Sequence, residues 1–238
     1  MTAEEYFGEW RGIVDIQEAD RILRKLSASK SIICPKLKNI FKAFHLCSLS
    51  NLRAVIIGQD PYNTLHKPFS ANEGSAFVPT ATGIAFGNSS DTPVNSYSPS
   101  LEILRDSVID FSLPHQEIIF DPSLEKWEEQ GVLLLNSALS CEANKPQSHA
   151  LMWRPFIGAF LEKLSNKIPG IVYVLMGNAA ISFTQYINKR NNHVLTTKHP
   201  SWYARNKTKM PPDIWKEIDN ILIGQNGYGI QWYNEINN

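Results

Sequence analysis

Four short runs of aliphatic and β-branched residues constrain the fold more than any other feature of the chain: Ala54 to Ile57, Val132 to Leu135, Ile171 to Leu175 and His193 to Thr197. Runs of this length and character are those of strands buried in a parallel sheet. Helical patterns lie between them. Phe156, Ile157, Phe160, Leu161 and Leu164 recur at the 3.6-residue period. So do Ile214, Trp215, Ile218, Ile221 and Leu222, which follow the start signal Pro211-Pro212-Asp213 and precede Gly224. A further helix is expected after Asn178. Ahead of the first strand, Ile22, Leu23 and Leu26 predict one helix, and Leu37, Ile40, Phe41 and Phe44 a second. Parallel strands need crossover connections, so strands alternating with helices predict an α/β fold whose sheet is covered on both faces. The turn-rich stretches Asn63 to Pro99 and Cys141 to His149 read as large loops on that scaffold.

A chain of 238 residues can bury a sizeable core, and 43% hydrophobic with 19% charged residues is ordinary globular composition. We read it as one domain over residues 1–238 with no linker. No apolar run reaches the roughly 18 residues of a membrane span, and the start is acidic rather than basic and then apolar. A cytoplasmic or nuclear, unsecreted protein is expected. Cys34, Cys47 and Cys141 are odd in number and lack CxxC spacing, which predicts neither a disulfide framework nor a metal site. The 23 basic and 23 acidic residues cancel, so any affinity for nucleic acid must be local. The candidate patch is Lys198 to Lys209, where Lys198, Arg205, Lys207 and Lys209 interleave with His199, Trp202 and Tyr203. A solvated loop has the same composition.

Open α/β sheets bind ligands outside the carboxyl ends of their strands. The polar residues there are Gln59 and Asp60 after the first strand, Asn136 after the second, Asn178 after Gly177 following the third, and His199 after the fourth. One carboxylate, one histidine and several amides on one rim suit general acid–base or electrostatic catalysis on a planar ligand. Taken singly, Asp60 before Pro61 fits a turn, Asn136 and Asn178 fit helix caps, and His199 before Pro200 fits a loop.

Gly58-Gln59-Asp60-Pro61-Tyr62, Leu134-Leu135-Asn136 and His199-Pro200-Ser201 resemble, in the same order, the three signature segments of family 1 uracil-DNA glycosylases. Similar pieces are Gly83 to Phe86, Ser98 to Leu101, Gln147 to His149 and Val174 to Gly177, so the likeness covers roughly Val55 to Arg205. The resemblance implies a three-layer α/β/α sandwich around a central four-stranded parallel sheet, with N-terminal helices in about 1–50, a catalytic core in about 53–224, and no metal or cofactor. It implies a monomer that acts on uracil in single- and double-stranded DNA and leaves an abasic site, open to a protein inhibitor or replication partner.

Cleaving an N-glycosidic bond leaves positive charge on the sugar and negative charge on the departing base. A carboxylate such as Asp60 offsets the first, and by resemblance also positions the attacking water. His199 would donate a hydrogen bond to uracil O2. The Asn136 amide can pair with O4 and N3–H, a pattern cytosine reverses. The resemblance sets Tyr62 against C5, where a thymine methyl would clash, stacks Phe86 on the flipped base, and gives Gln59 backbone contacts. It implies DNA contacts at Ser100, Gly177, Asn178, Ser201, Trp202, Tyr203 and Arg205, with an aromatic wedge at Tyr203, where the family places leucine, or at Trp202.

Two departures from the family pattern stand beside the catalytic motif. Asn63 occupies the place of its usual histidine, and the connection from Tyr62 to Phe86 carries an insertion containing His66, Lys67, Pro68 and Pro79. A catalytically weak or inactive DNA-binding protein of the same fold is the alternative. An unrelated α/β hydrolase built on Asp60 and His199 is a more distant one, since GxSxG, Walker and HExxH strings are absent from the sequence.

Overall fold

The computed structural model describes residues 6–68, 76–113 and 117–235. Its centre is a sheet of four parallel strands: β1 (Ala54–Gly58), β2 (Val132–Asn136), β3 (Val172–Met176) and β4 (His193–Thr197). The spatial order is β2-β1-β3-β4. The expected runs match these strands, except that pairing in the third begins at Val172.

Alternation along the strands divides the core in two. Val55, Ile57, Leu133, Leu135, Tyr173 and Leu175 join one apolar cluster. It takes in helices α1 (Ile16–Ser27), α2 (Lys42–Leu46) and, further along the chain, Ala150–Lys167. Ala54, Ile56, Val132, Leu134, Val172, Val174 and Met176 join the other, with α3 (Pro99–Phe111) and the C-terminal helix Asp213–Asn226. After α3 the helices are α4 (Glu125–Glu129), α5 (Ala150–Lys167), α6 (Asn178–Ile181), α7 (Pro200–Asn206) and α8 (Asp213–Asn226). The arrangement is the expected sandwich, because strands apolar on both sides bury both faces only under two helix layers. The ends that lack the resemblance pack into it: Phe7 and Trp10 into the first cluster, Ile230 and Trp232 into the second.

Several local expectations are corrected. The second N-terminal helix is broken into a 3-10 turn, Leu37–Asn39, and α2, although Ile40, Phe41 and Phe44 are buried as its pattern required. The last helix starts after Pro211-Pro212 as expected but runs through Gly224, which faces open space, and stops at Gly227 in the left-handed conformation. The two long loops contain short pairings, Leu65–His66 with Val78–Pro79 and Cys141–Glu142 with Ile33–Cys34. Part of the insertion, 69–75, lies outside the described residues. All three cysteines are buried free thiols.

Strand β2 lies at a sheet edge, and its outward backbone groups are met by other parts of the chain. The buried Glu128 carboxyl accepts from Leu134 N–H at 2.9 Å, and Ala85 N–H donates to Leu134 O at 3.2 Å. The second contact ties the Gly83 to Phe86 segment to the sheet end where the polar residues gather.

Candidate active site

Beyond the carboxyl ends of β1 and β2 the structure opens a narrow slot of about 30 Å³. Asp60, Tyr62, Phe86, Ser100, Asn136 and His199 line it together. Five separate segments supply them, and the parallel register, which pairs Gly58 with Asn136, sets the ends of β1 and β2 side by side.

Asp60 is held at both carboxylate oxygens. Gln147 N–H donates to Oδ2 at 2.7 Å and the Gln59 amide donates to Oδ1 at 3.0 Å. Burial raises its pKa above the ordinary carboxylate value, and these two donors oppose that rise. Gln59 itself does not line the slot; its side chain serves the aspartate, while its carbonyl accepts from Ala138 N–H and from Ser137 Oγ.

His199 caps α7. Its Nδ1 lies 3.2 Å from Ser201 N and 2.9 Å from Ser201 Oγ. A backbone N–H can only donate, so Nδ1 must be an acceptor, and the neutral ring carries its proton on Nε2. Burial first, then the Arg205 cation, lower its pKa to about 4. The duller capping role and a chemical role therefore coexist in one side chain, each using a different ring nitrogen.

Asn136 is 9% exposed and its amide makes no hydrogen bond among the described residues. It stands ready for a ligand with complementary groups. Tyr62 Oη donates to Phe86 O at 2.8 Å, and burial raises the phenol's pKa. Phe86 has φ of 66°, unusual for a residue with a side chain, and its ring centroid lies 5.5 Å from that of His199. Ser100 is buried in the first turn of α3.

Sequence reasoning left Gly58 without a role. A Cβ there would lie 2.7 Å from Asn136 Oδ1 and 2.8 Å from Phe86 Cζ, so the amide and the ring hold their positions only over glycine. Gly177 (φ 87°) is constrained similarly, a Cβ meeting His199 Cβ at 2.7 Å. Glycine at a strand end is the one signal that could have exposed either. The backbone donor of Gln147 had no signal, because any residue supplies an N–H.

The remaining expected DNA contacts lie outside the slot. Asn178, Arg205, Lys207 and Lys209 are exposed, whereas Gly177, Ser201 and Trp202 are half-buried. The segment after His199 is helix α7 rather than a loop, and it turns Tyr203 inward. At 9% exposure Tyr203 packs in the second core, so it is no projecting wedge in this conformation. Trp202 lies on the surface side, edge-on to Tyr203, with Lys198 Nζ 3.5 Å from its ring centroid. Lys209 is paired with Asp110 at 2.8 Å. Among the described residues, no helix is long and apolar enough to cross a membrane, and no cluster could hold a metal ion.

The chain's relatives by sequence assign this parallel-sheet sandwich, with an acid, an amide and a neutral histidine at its strand ends, to the DNA-repair glycosylases, hydrolases of N-glycosyl bonds. The chain belongs to the uracil DNA glycosylase superfamily, whose family model matches residues 44–222. Uracil-DNA glycosylase of Campylobacter lari is 38% identical over 186 residues, 77% of this chain and 72% of that protein. That of Coxiella burnetii is 35% identical over 203 residues, 84% of this chain and 80% of the relative. The fold is similar to the crystal structure of mimivirus uracil-DNA glycosylase, with a TM-score of 0.74 at 21% identity over 97% of this chain and 86% of that one.

Proposed function

We propose that the chain binds uracil flipped from DNA in the slot and hydrolyses its N-glycosidic bond through Asp60 and His199. As the N1–C1′ bond breaks, its electron pair moves onto the base, and the Nε2–H of His199 donates to the developing O2 anion. The Asp60 carboxylate lowers the energy of the sugar cation, orients water toward C1′ from the face opposite the base, and takes its proton. Asp60 returns its proton to solvent and the uracil anion takes one up on release, so the products are free uracil and an abasic site. Asn136 pairs with O4 and N3–H, Tyr62 excludes the thymine methyl, and Phe86 stacks on the ring.

The observation that supports this most is the pair of occupied atoms: Asp60 is restrained at both oxygens and His199 at Nδ1, which leaves one donor, Nε2–H, available to a ligand. A neutral donor needs no net charge to stabilise an anion in a preorganised site. Asn63 enters the fold through its carbonyl, which accepts from Asn144 N–H at 2.7 Å.

The test uses single- and double-stranded oligonucleotides carrying uracil, thymine or cytosine, with alkali cleavage at abasic sites. Wild type cuts only at uracil. Asp60→Asn loses most turnover while still binding uracil-DNA, Tyr62→Ala admits thymine, and Asn136→Asp admits cytosine. A wild-type protein that binds without excision would establish the non-catalytic alternative. A substituted mimivirus UNG has been solved in complex with UGI, which makes UGI the inhibitor to add in competition.

A further inference from the structure

We propose that Arg205 is a positioning residue for His199, acting through the Ser201 hydroxyl, in addition to any contact it makes with DNA. The inference rests on the role given to His199 above. Arg205 sits one helical turn beyond Ser201 on α7, and its Nη1 donates to Ser201 Oγ at 3.1 Å. A guanidinium carries only donors, so it takes a lone pair of that oxygen and leaves the single O–H proton for another partner. The partner in reach is His199 Nδ1 at 2.9 Å. The chain of contacts thus has one direction, from Arg205 to Ser201 to His199, and it ends on Nδ1, where the hydroxyl adds a second donor to the Ser201 N–H.

The same cation disfavours a second positive charge on the ring. The other charged or titratable groups around it are Asp60 and Tyr62 across the slot and Lys198 next in the chain, whose ammonium lies over Trp202. Arg205 is exposed, makes no ion pair among the described residues, and keeps further N–H groups for a phosphate. One side chain can therefore hold the DNA backbone and the ring geometry at once, so that contact with the backbone outside the slot is felt at the leaving-group donor.

The test reads His199 directly, by nitrogen-15 NMR of the full chain, beside a kcat–pH profile on a short single-stranded uracil oligonucleotide. In wild type His199 is neutral with its proton on Nε2. In Arg205→Ala the Ser201 hydroxyl is no longer turned toward Nδ1, so the pKa of His199 rises, the acid limb of kcat moves to higher pH, and kcat falls about tenfold, the worth of one charge-assisted hydrogen bond. Arg205→Lys keeps the low pKa but recovers only part of kcat, and Arg205→Gln, closest in shape, is read in the same way should the alanine variant not fold. Unchanged pKa and kcat with only a weaker KM and a shallower salt dependence would overturn the proposal and leave Arg205 a phosphate contact. His199→Ala separates the two levels: if it excises uracil normally, the role of His199 fails whatever the spectra of Arg205 variants show.

Discussion

His199 illustrates how burial and partners together set a residue's chemistry. Its pKa falls from 6.5 to about 4, with desolvation the first cause and Arg205 the second. The unfolded chain therefore binds a proton between pH 6.5 and 4 that the folded chain does not. Its contribution to stability is complete above pH 6.5 and is lost as pH falls to 4, a swing of about 3 kcal/mol. Asp60 acts with the opposite sign, because its pKa is raised: the stability it adds is present below the ordinary carboxylate value and lost as pH rises through its own. Denaturant unfolding of His199→Gln against wild type isolates the histidine, and we expect the two curves to converge toward pH 4. Parallel curves down to that pH would mean that His199 titrates normally. Gly58 gives a second outcome at this scale: Gly58→Ala should keep the fold yet lower kcat strongly, since the new methyl displaces the Asn136 amide and the Phe86 ring rather than backbone.

Among elements, β2 shows how an edge strand becomes part of a site. Glu128 Oε1 serves the strand's Leu134 N–H, while Oε2 is buried with no hydrogen-bond partner among the described residues. Burial raises the carboxyl well above its ordinary value, against the pull of Leu134 N–H and Lys42. Folding thus favours the protonated acid more than the unfolded chain does, and the stability this contributes is lost as pH rises through the elevated value. Glu128→Gln keeps the acceptor for Leu134 and removes the ionisation. Its Tm is expected to exceed that of wild type progressively with rising pH, while uracil excision is retained. A Tm difference independent of pH would place the ionisation elsewhere. The same edge carries Ala85, so a variant that frays β2 is expected to loosen Phe86 before it disturbs Asp60.

At the scale of the whole molecule, 23 basic and 23 acidic residues leave no long-range field to draw in a polyanion. Any electrostatic grip on DNA must therefore be local; the exposed cations near His199 are the candidates, and one of these, Lys209, is already bound by Asp110. Asp110→Asn should release it, tightening binding at low salt and steepening the fall of log affinity with log salt by about one contact. Lys207→Ala should make that slope shallower by a similar amount. If neither variant changes the slope, phosphates do not cross this face. Such changes lie outside the slot and are expected to leave turnover of saturating single-stranded substrate as it is.

The strands, the two helix layers and the polar residues at the strand ends were legible in the sequence, because apolar period and strand-end position are local properties written residue by residue. So were Asp60, Tyr62, Asn136 and His199, which three ordered strings carry, and Phe86, which the Gly83 to Phe86 piece adds. Tertiary structure alone decided the rest. Tyr203 reads as an exposed aromatic beside a basic run, yet α7 turns it into the second core, a matter of how one short helix is rotated against α3. Lys209 counts as a free cation until α3 brings Asp110 to it across 99 positions of chain. The donors that restrain Asp60 and His199 include backbone N–H groups, which every residue except proline possesses, so no pattern of side chains could announce them. Sequence determines which chemistry is present and on which face; the packing of distant segments determines which of those groups remain free to act.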